Sequence, residues 1–197
     1  MVLKTRDRLI EVARQLFAHK GVEKTTMNDI ANASDRGRRT IYTYFRNKKE
    51  IYNAVLEAES EQLVASLRDI ATGSGPVDDR LVEFLRCRIY HSRNQSTATL
   101  KNWLMFDIRR LERIHRMAAE KESALLSDLL QEGCRTGIFD PERCRLFATF
   151  IDRVIELIDM PMAAAPKLSD ERRRRITESF IDFCVSDLKS KIDPIRN

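Results

Sequence analysis

Residues 26–48 read TMNDIANASDRGRRTIYTYFRNK, and this stretch is the most informative about the fold. Thr26 and Asp29 stand three residues apart, the spacing of a capping box at the start of a short helix. Residues 34–37, Ser-Asp-Arg-Gly, are typical of a tight turn. A third short helix follows over Arg38–Tyr44, with Ile41 and Phe45 spaced to face inward. Two short helices joined by a four-residue turn predict a helix-turn-helix.

The flanking sequence completes a three-helix head. Before it, apolar residues at helical spacing predict a helix from about Lys4 to Lys20, which Gly21 ends. After it, Asn47 and Glu50 form a second capping box that starts a helix to about Ile70. Residues 1–47 are therefore predicted to be one domain.

Residues 48–197 are predicted to be a larger helical domain. A Gly- and Pro-containing break over 72–76 precedes helices at about 77–93, 100–106 and 107–132. Gly133 and Gly137 are predicted to end the last of these. Asp140-Pro141 begins another helix, and Ser169 caps the last one. The prediction is an all-α protein of about nine helices.

The basic charge is concentrated in the head. Residues 1–50 hold 12 Lys and Arg against 6 Asp and Glu, whereas the other residues hold 23 against 24. Such an asymmetry is expected of a module that binds phosphates. Together with the predicted helix-turn-helix, this basic excess indicates double-stranded DNA as the partner.

Other functional classes find little support in the residues. There is no phosphate loop, nucleophile elbow or HExxH motif, so no enzymatic activity is expected. Cys87 and His91 could form half of a metal site, but no second pair has a useful spacing, so neither metal nor cofactor is expected. Without a signal peptide or a long apolar run, the expected location is cytoplasmic, with no membrane partner.

The third helix presents the side chains that DNA recognition requires. Arginine donates two hydrogen bonds to guanine, and threonine contacts base edges or the thymine methyl group. Lys48, at the start of the fourth helix, suits a phosphate. The predicted DNA-binding residues are Thr26, Arg36, Arg38, Arg39, Thr40, Thr43, Tyr44 and Lys48.

The head resembles the N-terminal signature of the tetracycline-repressor (TetR) family over about residues 6–56. The motif residues are Leu16, Phe17 and Gly21; Thr26, Asp29, Ile30 and Ala31; and Thr40, Ile41, Tyr42, Tyr44, Phe45 and Lys48. The resemblance implies that positions 26, 44 and 48 touch phosphates and that positions 38, 39 and 43 meet bases. It also implies that Tyr42 packs against the core or lies along the backbone.

The turn departs from the family pattern. It usually reads Ala-Gly-Val-Ser-x-Gly, where this chain has Ser34-Asp35-Arg36-Gly37-Arg38-Arg39. Asp35 can replace the glycine because Asp tolerates the left-handed conformation. Arg36 stands where a small apolar residue usually packs, and its stem can cover the core while its charge stays in water.

The resemblance also implies a homodimer, a two-half-site operator and a ligand cavity in the second domain. Candidate cavity residues are His91, Trp103, Phe106, Arg109 and His115, although such residues also occur in ordinary cores. Candidate interface residues are Phe147, Ile151, Ile155, Phe180, Phe183 and Leu188. Arg172–Arg175 are expected to form a solvated face.

The leading functional hypothesis is a repressor that a small-molecule ligand releases from its operator. The alternative is a helix-turn-helix regulator without a small-molecule inducer, either constitutive or controlled by a partner protein. A cavity with mixed polar and apolar lining favours the first hypothesis, and a solidly packed body favours the second. Activation, the operator sequence and the ligand's identity stay open.

Overall fold

A computed structural model describes residues 5–99, 108–159 and 169–189. Within those ranges the chain forms eight helices and no strand, which confirms the all-α prediction. The helices are α1 Thr5–Lys20, α2 Met27–Ala33, α3 Arg38–Tyr44, α4 Lys48–Ala71, α5 Val77–Thr99, α6 Ile108–Arg135, α7 Pro141–Asp159 and α8 Asp170–Leu188. The short helix predicted at 100–106 lies outside the described residues.

Two helices end later than predicted, although the predicted role of Gly137 as a stop after α6 is confirmed. Helix α5 continues through the polar residues 94–97 to Thr99, because that segment contains neither Gly nor Pro to interrupt the backbone hydrogen bonds. Helix α6 passes through Gly133 and ends at Arg135. Gly137, at φ 73°, takes the left-handed conformation that follows the helix.

The chain divides into two compact units. The first contains residues 1–62 and 95–118, and the second contains residues 63–94 and 119–197. These units divide the chain by contacts between residues. The functional boundary between residues 47 and 48 therefore stays a prediction.

The first unit has an apolar core to which α1 to α4 all contribute. Leu9, Ile30, Ile41 and Ile51 have no exposed surface, and Phe45 is 3% exposed. The rings of Phe17 and Tyr52 meet edge to face, with centroids 5.7 Å apart. The predicted inward direction of Ile41 and Phe45 is confirmed.

Ion pairs tie the helices of the second unit together. Arg88 of α5 pairs with Glu122 of α6, and both side chains are buried. Arg86 of α5 pairs with Glu178 of α8 at 2.8 Å, and the Tyr90 hydroxyl donates to the same carboxylate at 3.1 Å. Because these partners are far apart in sequence, they fix the packing of α5 against α6 and α8.

The junction between α6 and α7 is closely packed. Gly133 is buried, and a Cβ atom there would lie 2.0 Å from Cδ2 of Phe139. The backbone N–H groups of Ile138 and Phe139 both donate to the Gly133 carbonyl at 3.0 Å, and Asp140 N–H donates to the Leu188 carbonyl at 2.9 Å. This junction therefore also holds the end of α8.

None of the described helices is both long enough and apolar enough to cross a membrane.

We expect Gly133→Ala to lower the free energy of unfolding by about 1–3 kcal/mol, because the new methyl group overlaps the Phe139 ring. Chemical denaturation monitored by circular dichroism measures this change. Phe139→Ala removes the three ring atoms that the methyl group would meet, so the double variant should lose less stability than the two single variants together. Additive losses would contradict the packing explanation.

Candidate nucleic-acid interface

A reciprocal capping box begins α2. The Asp29 N–H donates to Thr26 Oγ1 at 3.1 Å, and the Thr26 N–H donates to Asp29 Oδ2 at 2.8 Å. The hydrogen bonds from Thr26 lower the pKa of the Asp29 carboxyl. The predicted capping role of Thr26 is confirmed, and its exposed side chain stands at the positive end of the helix.

The turn after α2 is a Schellman motif with aspartate in the place usually taken by glycine. Asp35 has φ 55°, in the left-handed region that its side chain tolerates. The N–H of Arg36 donates to the Ala31 carbonyl at 3.0 Å, and the N–H of Asp35 donates to the Asn32 carbonyl at 3.1 Å. The Arg36 side chain is exposed, so it can reach a phosphate.

Two polar contacts support the turn, one of them buried and the other partly buried. Ser34 has no exposed surface, and its hydroxyl donates to the Ala31 carbonyl at 2.9 Å. Nε of Arg8, on α1, donates to the Ser34 carbonyl at 3.1 Å. The sequence did not single out Arg8, because this contact joins residues 26 positions apart.

The inward residues of α3 determine which face is free. Successive residues of an α-helix are about 100° apart around its axis. With Ile41 and Phe45 buried, Arg39 and Thr43 lie on the opposite side. Both side chains are exposed, so this face of α3 is open to solvent.

The remaining residues of α3 flank that face. On one side, the Arg38 guanidinium lies 5.9 Å from the centroid of the Tyr42 ring. Tyr42 is 43% exposed, so it does not pack fully into the core, and a position along the DNA backbone stays a prediction. On the other side lie the half-buried Thr40 and Tyr44, which is 44% exposed.

Lys48 has a structural task that sequence reasoning missed. Its Nζ donates to the carbonyls of Val22 at 2.7 Å and Glu23 at 3.2 Å, in the loop between α1 and α2. An ammonium group has three protons to donate. Lys48 can therefore hold this loop and still offer one proton to a phosphate.

The start of α4 closes the site. The Glu50 N–H donates to Asn47 Oδ1 at 3.0 Å, as the predicted cap requires. The Glu50 carboxylate accepts from the N–H of Arg46 at 2.8 Å, one residue before the expected partner. The Arg6 guanidinium lies 5.5 Å from the Phe45 ring centroid. No local sequence pattern predicts this contact.

The candidate cavity residues are placed only in part. His91 is half-buried, whereas Arg109 and His115 are exposed. Trp103 and Phe106 lie outside the described residues. In the described ranges, no three His, Cys, Asp or Glu side chains are grouped to hold a metal ion.

The candidate interface residues have mixed positions. Phe147, Ile151 and Leu188 are buried in the second unit's own core, Phe180 is half-buried, and Phe183 is 72% exposed. The side chain of Ile155 is outside the described part of the chain. The same two helices carry three further exposed apolar residues that were not among the predicted interface residues: Leu146, Phe150 and Ile176.

The fold and this exposed face define a helix-turn-helix protein. Residues 9–55 match the family of bacterial regulatory proteins called the tetR family. The match is confined to the head, which is similar to the N-terminal part of that family.

The curated relatives match over the head and little more. The "Probable acrEF/envCD operon repressor" of Escherichia coli K12 is 53% identical over 51 residues, which are 26% of this chain and 23% of that protein. The "HTH-type transcriptional repressor KstR2" of Mycobacterium tuberculosis is 32% identical over 76 residues, 39% of this chain and 38% of that protein. The chain therefore spans well under half the length of these relatives.

Solved structures match along nearly the whole chain. A TetR/AcrR-family regulator from Thermobifida fusca has a TM-score of 0.70 at 20% identity, covering 98% of each chain. The "ketosteroid transcriptional regulator KstR2" of Mycobacterium tuberculosis has a TM-score of 0.56 at 20% identity, covering 97% of this chain and 98% of that one. These similarities show that the chain has the TetR/AcrR fold.

We expect Asp35→Gly to keep or slightly raise the free energy of unfolding, because glycine adopts the left-handed conformation without steric cost. Asp35→Val should lower it by about 1–3 kcal/mol, since a β-branched residue is strained there. Urea denaturation of the two variants measures the difference. Equal stability of the two variants would show that the turn does not constrain residue 35.

Proposed function

We propose that this chain is a dimeric DNA-binding transcription regulator, and that it acts as a repressor released from its operator by a small molecule. The observation that carries the proposal is the exposed Arg39–Thr43 face of α3, opposite the buried Ile41 and Phe45. A short helix with a buried inner face and a donor-rich outer face suits the major groove. The basic excess of the head supplies attraction to phosphates.

Within this proposal the head has two kinds of DNA contact. Arg39 and Thr43 read base edges. Arg38 lies on a flank of α3, from which it can contact either a base or a phosphate. The Thr43 hydroxyl already donates to the Arg39 carbonyl at 3.1 Å. It therefore meets DNA as a hydrogen-bond acceptor or through its methyl group.

The phosphate contacts surround the reading face. They are assigned to Thr26 at the start of α2, to Arg36 in the turn, to Thr40 and Tyr44 on the second flank of α3, and to Lys48. Phosphate contacts fix the register of a protein on DNA without reading its sequence. Thus losing one of them should weaken binding to any duplex alike.

The proposed homodimer uses α7 and α8. One reading helix covers one half-site, so a long operator requires two heads about 34 Å apart. Leu146, Phe150, Ile176 and Phe183 are 51–72% exposed, which is costly for large apolar side chains left in water. A second copy of the chain would cover them, with Phe180 at the edge of the contact.

Ligand control is proposed for residues 48–197. One neighbour of the same fold is named as a ketosteroid transcriptional regulator, which supports a regulator that responds to an apolar molecule. Helix α4 begins at the reading head, so a small tilt of this helix would change the separation of two heads. Ligand and DNA must then weaken each other's binding by the same factor.

A regulator without a small-molecule inducer would have no coupling between ligand binding and DNA binding. Operator affinity would then be insensitive to every small molecule that the protein binds. An operator titration repeated with each binding compound separates the two versions.

We expect Arg39→Ala to weaken operator binding by about 1–3 kcal/mol and to relax the preference at one base pair per half-site. Lys48→Ala should weaken binding to operator and scrambled duplexes equally and lower the salt slope by about one. Fluorescence-anisotropy titrations at two salt concentrations measure both effects.

Lys49→Ala is the matched control for Lys48→Ala, because Lys49 is an exposed neighbour without the two carbonyl bonds. Circular dichroism reveals whether losing the Lys48 anchor unfolds the head. If Arg39→Ala affects operator and scrambled DNA equally, the assignment of Arg39 as a reader is wrong. If neither substitution changes any affinity, the DNA-binding proposal fails.

We expect Phe183→Lys to convert the dimer to a monomer at micromolar concentration, because it places a charge in the proposed apolar contact. Sedimentation velocity measures the mass. Ala124→Lys adds the same charge at an exposed position of α6 and should remain dimeric. A wild-type monomer, or a Phe183→Lys dimer as tight as wild type, would refute this interface.

A further inference from the structure

One face of α8 carries exposed residues that run from a cation, through apolar side chains, to an anion. Intervals of three and four residues place side chains on one face of a helix. The α8 stripe is the exposed set with these intervals: Arg172, Ile176, Ser179, Phe183 and Asp187. The buried residues of α8 lie on its other side: Thr177, Ile181, Cys184, Val185 and Leu188. The stripe therefore points away from the second unit's core.

The middle of the stripe is suited to a helix that packs along it. Ile176 is 51% exposed and Phe183 is 72% exposed, which is costly for large apolar side chains left in water. Ser179 lies between them. Because the distance between packed helices depends on the side chains at the contact, this small residue lets a second helix approach closely.

Both charged ends of the stripe are open to a further partner. The Arg172 side chain forms no ion pair or hydrogen bond with any other residue that the structure describes. Asp187 accepts a hydrogen bond from Nη1 of Arg143 through Oδ1 at 2.5 Å, but its side chain is still 59% exposed. Its Oδ2 atom can therefore accept a hydrogen bond from a second cation.

The stripe matches itself when the direction of the helix is reversed. Its centre lies between residues 179 and 180. Ile176 and Phe183 are equally far from this centre, in opposite directions, and so are Arg172 and Asp187. A two-fold axis through the centre, perpendicular to the helix, sets each residue of such a pair against the other residue of the pair in a second copy.

We propose that the α8 stripe binds the same stripe of a second copy in the antiparallel direction, with Arg172 of each copy paired to Asp187 of the other. This inference rests on the proposed homodimer and deepens it, because it names the register of the contact and the charges that select the partner. The occupant is a second copy because reversal of the stripe brings unlike charges together. A parallel copy would bring like charges together, which costs affinity.

The ion pairs require the two helices to cross at a shallow angle. At 1.5 Å per residue, each end of the stripe lies about 11 Å from the axis. A crossing angle of about 20° displaces the two helices sideways by about 4 Å at that distance, whereas about 50° displaces them by about 9 Å. Long side chains can span the smaller displacement. The proposal therefore commits to the shallow crossing that is usual in helical bundles.

Charge reversal at one end of the stripe tests the register. Arg172→Glu and Asp187→Lys each place like charges at both ends of a homodimer, so each should dimerise about tenfold more weakly than wild type. An equal mixture of the two variants should form mixed dimers with nearly wild-type affinity, because unlike charges then meet at both ends. Sedimentation velocity over a dilution series, with one variant fluorescently labelled at its N-terminus, measures both affinities.

Three substitutions serve as matched controls. Arg174→Glu and Asp182→Lys make the same kinds of charge change at exposed positions of α8 outside the stripe, and both should keep the wild-type affinity. Arg143→Gln removes the cation beside Asp187 within one copy and leaves both ends of the stripe unchanged, so it should also remain dimeric. Circular dichroism shows whether each variant keeps its helices.

Cysteine substitution tests the position of the axis without changing any charge. Residue 179 lies beside the axis, so two copies of Ser179→Cys should be joined by a disulfide after oxidation with copper phenanthroline. Residue 186 lies about 10 Å from the axis in each copy, so the equally exposed Ser186→Cys should not be joined. Non-reducing electrophoresis detects the linked dimer, and wild type is the control for the four native thiols.

The outcomes distinguish the register from the dimer itself. A wild-type monomer would overturn both. A wild-type dimer that Phe183→Lys disrupts, but that Arg172→Glu and Asp187→Lys leave unchanged, would overturn the register and leave the proposed homodimer standing. The register also fails if mixing the two charge variants does not restore the affinity, or if Ser186→Cys is joined as readily as Ser179→Cys.

Discussion

The burial of Ile41 and Phe45 is the constraint on which the candidate DNA-binding surface depends. Helix α3 has seven residues, too few to be stable alone in water. Its position therefore comes from these two side chains, which anchor it in the core of the first unit. Once they point inward, the geometry of the helix turns Arg39 and Thr43 outward.

Some of the cationic side chains around α3 bind backbone carbonyl groups and are not directed only to solvent. Arg8 holds the Ser34 carbonyl, and Lys48 holds two carbonyls of the loop between α1 and α2. The contacts to the Ser34 and Val22 carbonyls are partly buried, and a carbonyl removed from water is costly to leave unpaired. The cations of the head therefore divide into those that support the turn and those, such as Arg36 and Arg39, that extend into solvent.

In the second unit, some large apolar side chains fill the core and others are exposed on the surface. On α7, Phe147 and Ile151 fill the core, while their neighbours Leu146 and Phe150 are exposed. A helix that buries one apolar face normally presents polar residues on the other. Two apolar faces on α7, with Phe183 exposed on α8, are the physical basis for proposing a second copy of the chain there.

The helical class, the capping boxes and the helix-turn-helix were predictable from the sequence alone, because they depend on contacts within a few residues. The left-handed Asp35 was also predictable, since the turn chemistry is local. Only the tertiary structure decided the tasks of Arg8 and Lys48, whose partners lie about 26 residues away. The tertiary structure also explains why α6 contains Gly133, because the Phe139 ring occupies the space that a side chain would need. It likewise determines that Phe147, and not Leu146, points inward. A period of 3.6 residues identifies apolar stripes, but the neighbouring helices determine which stripe is buried.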